Sequence, residues 1–141
     1  MIKTLKTLSK VTRRELDTKR RDLNVLLEKK DSLLLEKEQL RLKLIKEMEI
    51  SAKSFEAQYA YAAYSKRVEL KQGELDKFVS GLDKMIDNMS EEIANAFAEL
   101  KKYEILLEKK EKELEEELLH KEQIMLNEIG MINHERKKKT G

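Results

Sequence analysis

From Val68 to Leu114, apolar residues recur at alternating intervals of three and four. One row is Val79, Ile86, Ile93, Leu100, Leu107 and Leu114. The other is Val68, Leu75, Leu82, Met89, Ala96 and Tyr103. These intervals mark the a and d positions of a coiled coil. A two-row stripe is narrower than the apolar face of a globular helix, so it buries itself against one other helix. The pattern predicts an all-α protein, a long antiparallel two-helix coiled-coil hairpin. Its seam includes Val79, Leu82, Ile86, Met89, Ile93, Leu100, Tyr103 and Leu107.

The partner strip lies upstream. Apolar residues from Leu5 to Ile50 predict a first helix over about 5–50. Some of them repeat at eleven (Leu5, Leu16, Leu27; Leu23, Leu34, Ile45), a spacing that implies local unwinding. Two places could hold the turn. In residues 51–57 the heptad lapses and Ser51 or Ser54 could cap a new helix. At Gln72-Gly73 a turn would break the regular tract between Val68 and Leu75. A turn near Ser54 pairs residues whose numbers add to about 108, so that the tract from Val68 to Tyr103 faces Leu40 to Leu5. The expectation is helix 1 at about 5–50, a turn at about 51–57, helix 2 at about 58–135 and a frayed basic tail at 136–141. Beyond Leu114 the stripe slips by four to Leu118, Met125 and Ile132, with Ile129 between the last two. In such a hairpin the last ~30 residues overhang helix 1, and their stripe suits an external partner.

Composition sharpens this picture. Of 141 residues 41% are charged and 5% aromatic, with no Pro, Trp or Cys. Such a chain resembles long helices and coiled coils. The lack of Cys removes disulfides and thiolate metal sites and fits a reducing compartment. No apolar run reaches the ~20 residues of a membrane span, and the opening residues lack the apolar stretch of a secretory signal. A soluble, cytoplasmic protein is expected. Residues 1–30 carry ten Lys and Arg against four Asp and Glu, whereas residues 74–99 carry two against seven. The end of the chain is basic again, from Arg136 to Lys139.

Candidate chemistry is sparse. His120 and His134 lie far apart with no acidic partners at ligand spacing, and read as surface residues. The four Gly are isolated, so no phosphate loop is present. Glu113 and Glu115 to Glu117 read as a solvated face, since a catalytic carboxylate needs burial to tune it. No enzyme activity, metal or cofactor is expected. Lys19-Arg20-Arg21 and Arg136 to Lys139 could touch phosphates. Acidic neighbours interrupt the first cluster, and no basic region in heptad register with a zipper appears, so nucleic acid is not the expected partner. Phe55, Tyr59, Tyr61 and Tyr64 fall within ten residues beside the expected turn. Not all of them can enter a two-helix seam. They are either binding anchors or a cap on the end of the coil.

Several segments carry a family resemblance. Residues 55–64 read Phe-Glu-Ala-Gln-Tyr-Ala-Tyr-Ala-Ala-Tyr, and residues 97–110 read Phe-Ala-Glu-Leu-Lys-Lys-Tyr-Glu-Ile-Leu-Leu-Glu-Lys-Lys. With Leu5-Lys6-Thr7-Leu8, the stretch from Arg13 to Arg21, and Leu126-Asn127-Glu128-Ile129, the chain resembles the FliJ family of flagellar export proteins over nearly its whole length. The YscO-like proteins of virulence type III secretion systems share that architecture. Relatives often carry Gly, Pro or Asp at the tip, where this chain has Ser-Ala-Lys-Ser.

The resemblance implies an antiparallel two-helix stalk like that of rotary ATP synthases. It implies three partners: a hexameric export ATPase, an export-gate membrane protein and export chaperones. Leu5, Leu8, Arg13 and Arg14 on one arm, with Met125, Ile129 and Ile132 on the overhang, would contact the ATPase ring. Tyr61, Tyr64 and Val68 would face the gate. The protein would be cytoplasmic, with peripheral association at the cytoplasmic face of the inner membrane, and would serve flagellum biogenesis and motility. The alternatives are the equivalent virulence-system stalk, a structural coiled coil that dimerises through Leu118 to Ile132, and a nucleic-acid-associated helix pair.

Overall fold

The computed structural model describes residues 1–140. Over that span the protein is two long α-helices packed against each other, without strands. Helix α1 is Ile2–Ser51 and helix α2 is Phe55–Thr140. Without Pro nothing interrupts either helix, and Gly73 lies within α2 and makes no turn.

Three residues, Ala52 to Ser54, join the helices. The Ser51 hydroxyl donates to the Met48 carbonyl at 2.6 Å, closing the last turn of α1. Ser54 caps α2: the Ala57 amide donates to its Oγ at 3.0 Å and the Gln58 amide to its carbonyl at 3.1 Å. The first bond satisfies an amide that a helix start otherwise leaves open, and the second is the first bond of the helix ladder. They also move the boundaries. The turn is shorter than 51–57, and α2 starts at Phe55 instead of about 58. Helix α1 starts at Ile2 instead of about 5, with the Leu5 amide donating to the Met1 carbonyl at 3.0 Å. Helix α2 extends through the basic tail to Thr140; Gly141 lies outside the described residues. Lys137 to Lys139 in the last turn suit the negative end of the helix dipole.

Along α1 the shielded positions are Ile2, Leu5, Ser9, Thr12, Leu16, Lys19, Leu23, Leu26, Lys30, Leu33, Lys37, Leu40, Leu44, Glu47 and Ser51. They alternate three and four without a break. The eleven-residue repeat therefore does not describe the inner face: Leu27, Leu34 and Ile45 are exposed. Along α2 the same alternation runs from Tyr61 through Ser65, Val68, Gln72 and Leu75 to Leu107 and Lys110.

The packing forms two compact units. The first spans Glu15–Ala96. Leu16, Val68, Leu75, Leu82 and Ala96 are its buried apolar residues, with Leu16 only 2% exposed. Ion pairs flank them: Lys19 with Glu92 at 3.4 Å, Lys30 with Asp83 at 2.7 Å, and Lys37 with Asp76. The hydrogen bond to Asp83, then its charge, raises the Lys30 pKa above the usual lysine range. The second unit joins Met1–Arg14 to α2 from Phe97 onward. Leu5, Ser9, Thr12 and Leu100 are buried in it. Its ion pairs are Lys6 with Glu111 at 3.8 Å and Arg13 with Glu104 at 2.8 Å.

Within each unit the higher-numbered α1 residue meets the lower-numbered α2 residue. The paired numbers add to between 111 and 113 in the first unit and to 117 in the second. Both exceed the expected 108. Side chains lean toward the N-terminus of their own helix. Long side chains reaching across therefore meet residues offset along the partner.

Candidate functional site

The first candidate surface is the N-terminal arm. Leu5 is 7% exposed and belongs to the packed interior, so it is not available as a contact. Leu8 and Arg14 are both exposed. Arg13 is committed to Glu104. The Arg13 guanidinium, then the Lys101 ammonium, hold the Glu104 carboxyl below the usual carboxylate range. Lys3, Lys6, Lys10, Arg13, Glu104 and Leu107 border an open recess of about 360 Å³. Its rim carries four cations against one anion.

The second surface is α2 beyond Lys110, where every residue from Glu111 to Lys139 is exposed. Leu114 therefore ends the apolar tract without being buried. Leu118, Met125, Ile129 and Ile132 are bare as well. Met125, Ile129 and Ile132 are thus available as contacts.

The third surface adjoins the turn. Val68 is 4% exposed and packs in the inner row, so it offers little surface to a partner. Tyr61 and Tyr64 are half-buried and border an open recess of about 420 Å³ with Lys43, Glu47 and Arg67. The outward aromatics are Phe55 and Tyr59, 84% and 78% exposed. Sequence reasoning grouped all four aromatics without separating them. Part of the signal was present: running the spacing back from Val68 through Ser65 puts Tyr61 on the inner row and leaves Phe55 and Tyr59 off it, whereas Tyr64 flanks the row beside Ser65.

The seam residues Val79, Leu82, Ile86, Met89, Ile93, Leu100, Tyr103 and Leu107 all lie on the inner row. The Tyr103 hydroxyl donates to Glu99 at 2.7 Å, so its ring packs while its tip reaches the polar edge. Among the described residues no three His, Asp or Glu side chains converge to hold a metal ion. Among the same residues no helix is long and apolar enough to cross a membrane. What the arrangement offers is contact area, with a basic arm, a bare stripe and an aromatic pair as its chemically distinct parts. Comparison with protein-family models, curated proteins and solved structures gives no match.

Proposed function

We propose that the two helices form an antiparallel coiled-coil hairpin and that the protein is a non-enzymatic stalk of a type III protein-export apparatus, of the flagellar, FliJ-like kind. Three features support the coiled coil: unbroken three-four spacing on both helices, ion pairs running in opposite numerical order, and a three-residue turn.

The observation that carries the stalk reading is the bare stretch of α2 beside a basic arm. That stretch and that arm belong to one compact unit. Together they offer an apolar stripe and a cationic rim to a ring-shaped partner with an acidic hole, and such attraction weakens with salt. In this reading the partner is the hexameric export ATPase, met through Leu8, Arg14, Met125, Ile129 and Ile132. Phe55 and Tyr59, beside Tyr61 and Tyr64, meet the export-gate membrane protein. Export chaperones exchange on the same surfaces. The site of action is the cytoplasmic face of the inner membrane.

The test is to mix the protein with the export ATPase of the same organism and measure hexamer formation and ATP turnover. Stimulation is expected, and Lys10→Glu with Arg14→Glu should reduce it while helicity stays unchanged. Absence of both binding and stimulation would reject the reading.

A further inference from the structure

Residues 111–139 of α2 are exposed throughout and carry an apolar stripe. At about 100° per residue on a regular helix, Leu114, Leu118, Met125, Ile129 and Ile132 fall within an arc of about 60°. Leu118, Met125 and Ile132 are 57%, 62% and 51% exposed. Most helical stability in proteins comes from packing of an apolar face, and Gly130 weakens this stretch by about 1 kcal/mol.

We propose that this stretch pairs with the same stretch of a second copy of the chain, antiparallel, about a two-fold axis at Met125. The sequence is arranged for that operator. Leu118 and Ile132 each lie seven positions from Met125. Antiparallel pairing centred there sets Leu118 against Ile132 of the second copy, and Met125 against its own equivalent. One patch thus serves both copies, as a closed two-fold contact requires.

Charge selects the same arrangement. The stretch opens with Glu111, Glu113 and Glu115 to Glu117 and closes with Arg136 to Lys139. The antiparallel pair lays each basic end on the acidic start of the other copy. A parallel pair would stack Glu on Glu and Lys on Lys, which is unfavourable. Length fits as well. In this register Lys139 meets Glu111, so the paired stretch is the one in which every residue of α2 is exposed. The inference does not rest on the export reading. Since both contacts would use Met125 and Ile132, copy pairing and ring binding exclude each other.

The test uses the full chain. Sedimentation velocity across a wide concentration range should show a reversible monomer–dimer equilibrium that weakens with salt. Met125→Asp sets like charges face to face on the axis and should weaken the dimer at least about tenfold, with helicity retained because the residue is exposed in the monomer. Lys137→Glu with Lys139→Glu should weaken it as well, and adding Glu111→Lys with Glu113→Lys should restore it. The chain has no Cys, so orientation can be read by oxidation. Met125→Cys should cross-link to itself, and Leu118→Cys should not, because its equivalent would be about 20 Å away along the axis. A monomer at every concentration, an unaffected dimer in Met125→Asp, or equal self-cross-linking of Leu118→Cys would each overturn the proposal.

Discussion

Arg13 and Glu104 are 91 positions apart in the chain, and their side chains meet at 2.8 Å. Lys101 shares the same carboxylate at 3.3 Å. Both hydrogen bonds favour the ionised form and lower the Glu104 pKa below the value it takes in an unfolded chain. A depressed carboxyl contributes stability above its unfolded pKa, and that contribution is lost as the pH falls through the folded value.

The first prediction therefore concerns acid stability. Because the group is exposed, the effect is small. Glu104→Gln should lower Tm at neutral pH and flatten the decline below about pH 4. Lys30 acts at the other end. Its raised pKa gives a contribution present below the unfolded value and lost as pH rises through the folded one, beyond about pH 10. Lys30→Gln should flatten that alkaline limb. Circular dichroism melts across pH check both. Limbs identical to those of the parent chain would mean that these pairs do not stabilise the fold.

Leu16 and Leu27 distinguish the two registers of α1. They belong to the same eleven-residue series, yet Leu16 is 2% exposed and Leu27 39%. Leu16→Ala should cost about 2–3 kcal/mol, the lower range for a buried leucine truncated where neighbours can partly close the gap. Leu27→Ala should cost less than about 1 kcal/mol. Urea titration of both variants gives the comparison. Equal losses would return Leu27 to the inner face.

The two-helix architecture was legible because α2 writes its heptads in apolar residues. Helix α1 writes the same period with polar and apolar residues mixed. Ser9, Thr12, Lys19, Lys30, Lys37, Glu47 and Ser51 occupy inner positions, and a reading that follows only Leu and Ile skips them and finds elevens. Lysine can fill such a position because its aliphatic stem packs while its ammonium reaches the edge, where Lys19, Lys30 and Lys37 meet Glu92, Asp83 and Asp76. The candidate surfaces were legible in part. Met125, Ile129 and Ile132 are bare, while Leu5 and Val68 are consumed by packing, which depends on a register that α1 disguises.

Ser54 fixes where α2 begins. Its Oγ accepts the Ala57 amide, so Ser54→Ala should cost about 1 kcal/mol, and Ser54→Gly or Ser54→Asp a few tenths at most. Equilibrium unfolding in urea separates these values. A neutral Ser54→Ala would mean that water replaces the cap.

Phe55 and Tyr59 should separate binding from folding. Phe55→Ala with Tyr59→Ala should leave Tm within about a degree, because surface changes usually stay within ~0.5 kcal/mol, and should impair motility in a complemented null strain if the export reading holds. Tyr61→Ala with Tyr64→Ala should lower Tm, since both rings are half-buried beside Ala57 and Ile50. A motility defect in the second pair alone, matched by lost stability, would make the cluster a cap on the end of the coil.

Ser9 is the most exposed to contradiction by experiment. Its hydroxyl is buried with no hydrogen-bond partner, whereas Thr7, two positions earlier, donates to the Lys3 carbonyl at 3.0 Å. A buried hydroxyl left unpaired is unfavourable by roughly 1–3 kcal/mol, and removing it recovers part of that. Ser9→Ala should therefore stabilise the chain by about 1 kcal/mol. Part of any gain would come from the better helix propensity of Ala, and Ser32→Ala, at an exposed position of the same helix, measures that part alone. The difference between the two variants isolates the buried hydroxyl. If Ser9→Ala gains no more than Ser32→Ala, the hydroxyl is satisfied in solution, and an ordered water in the recess bordered by Lys6, Lys10 and Glu104 is the group that satisfies it.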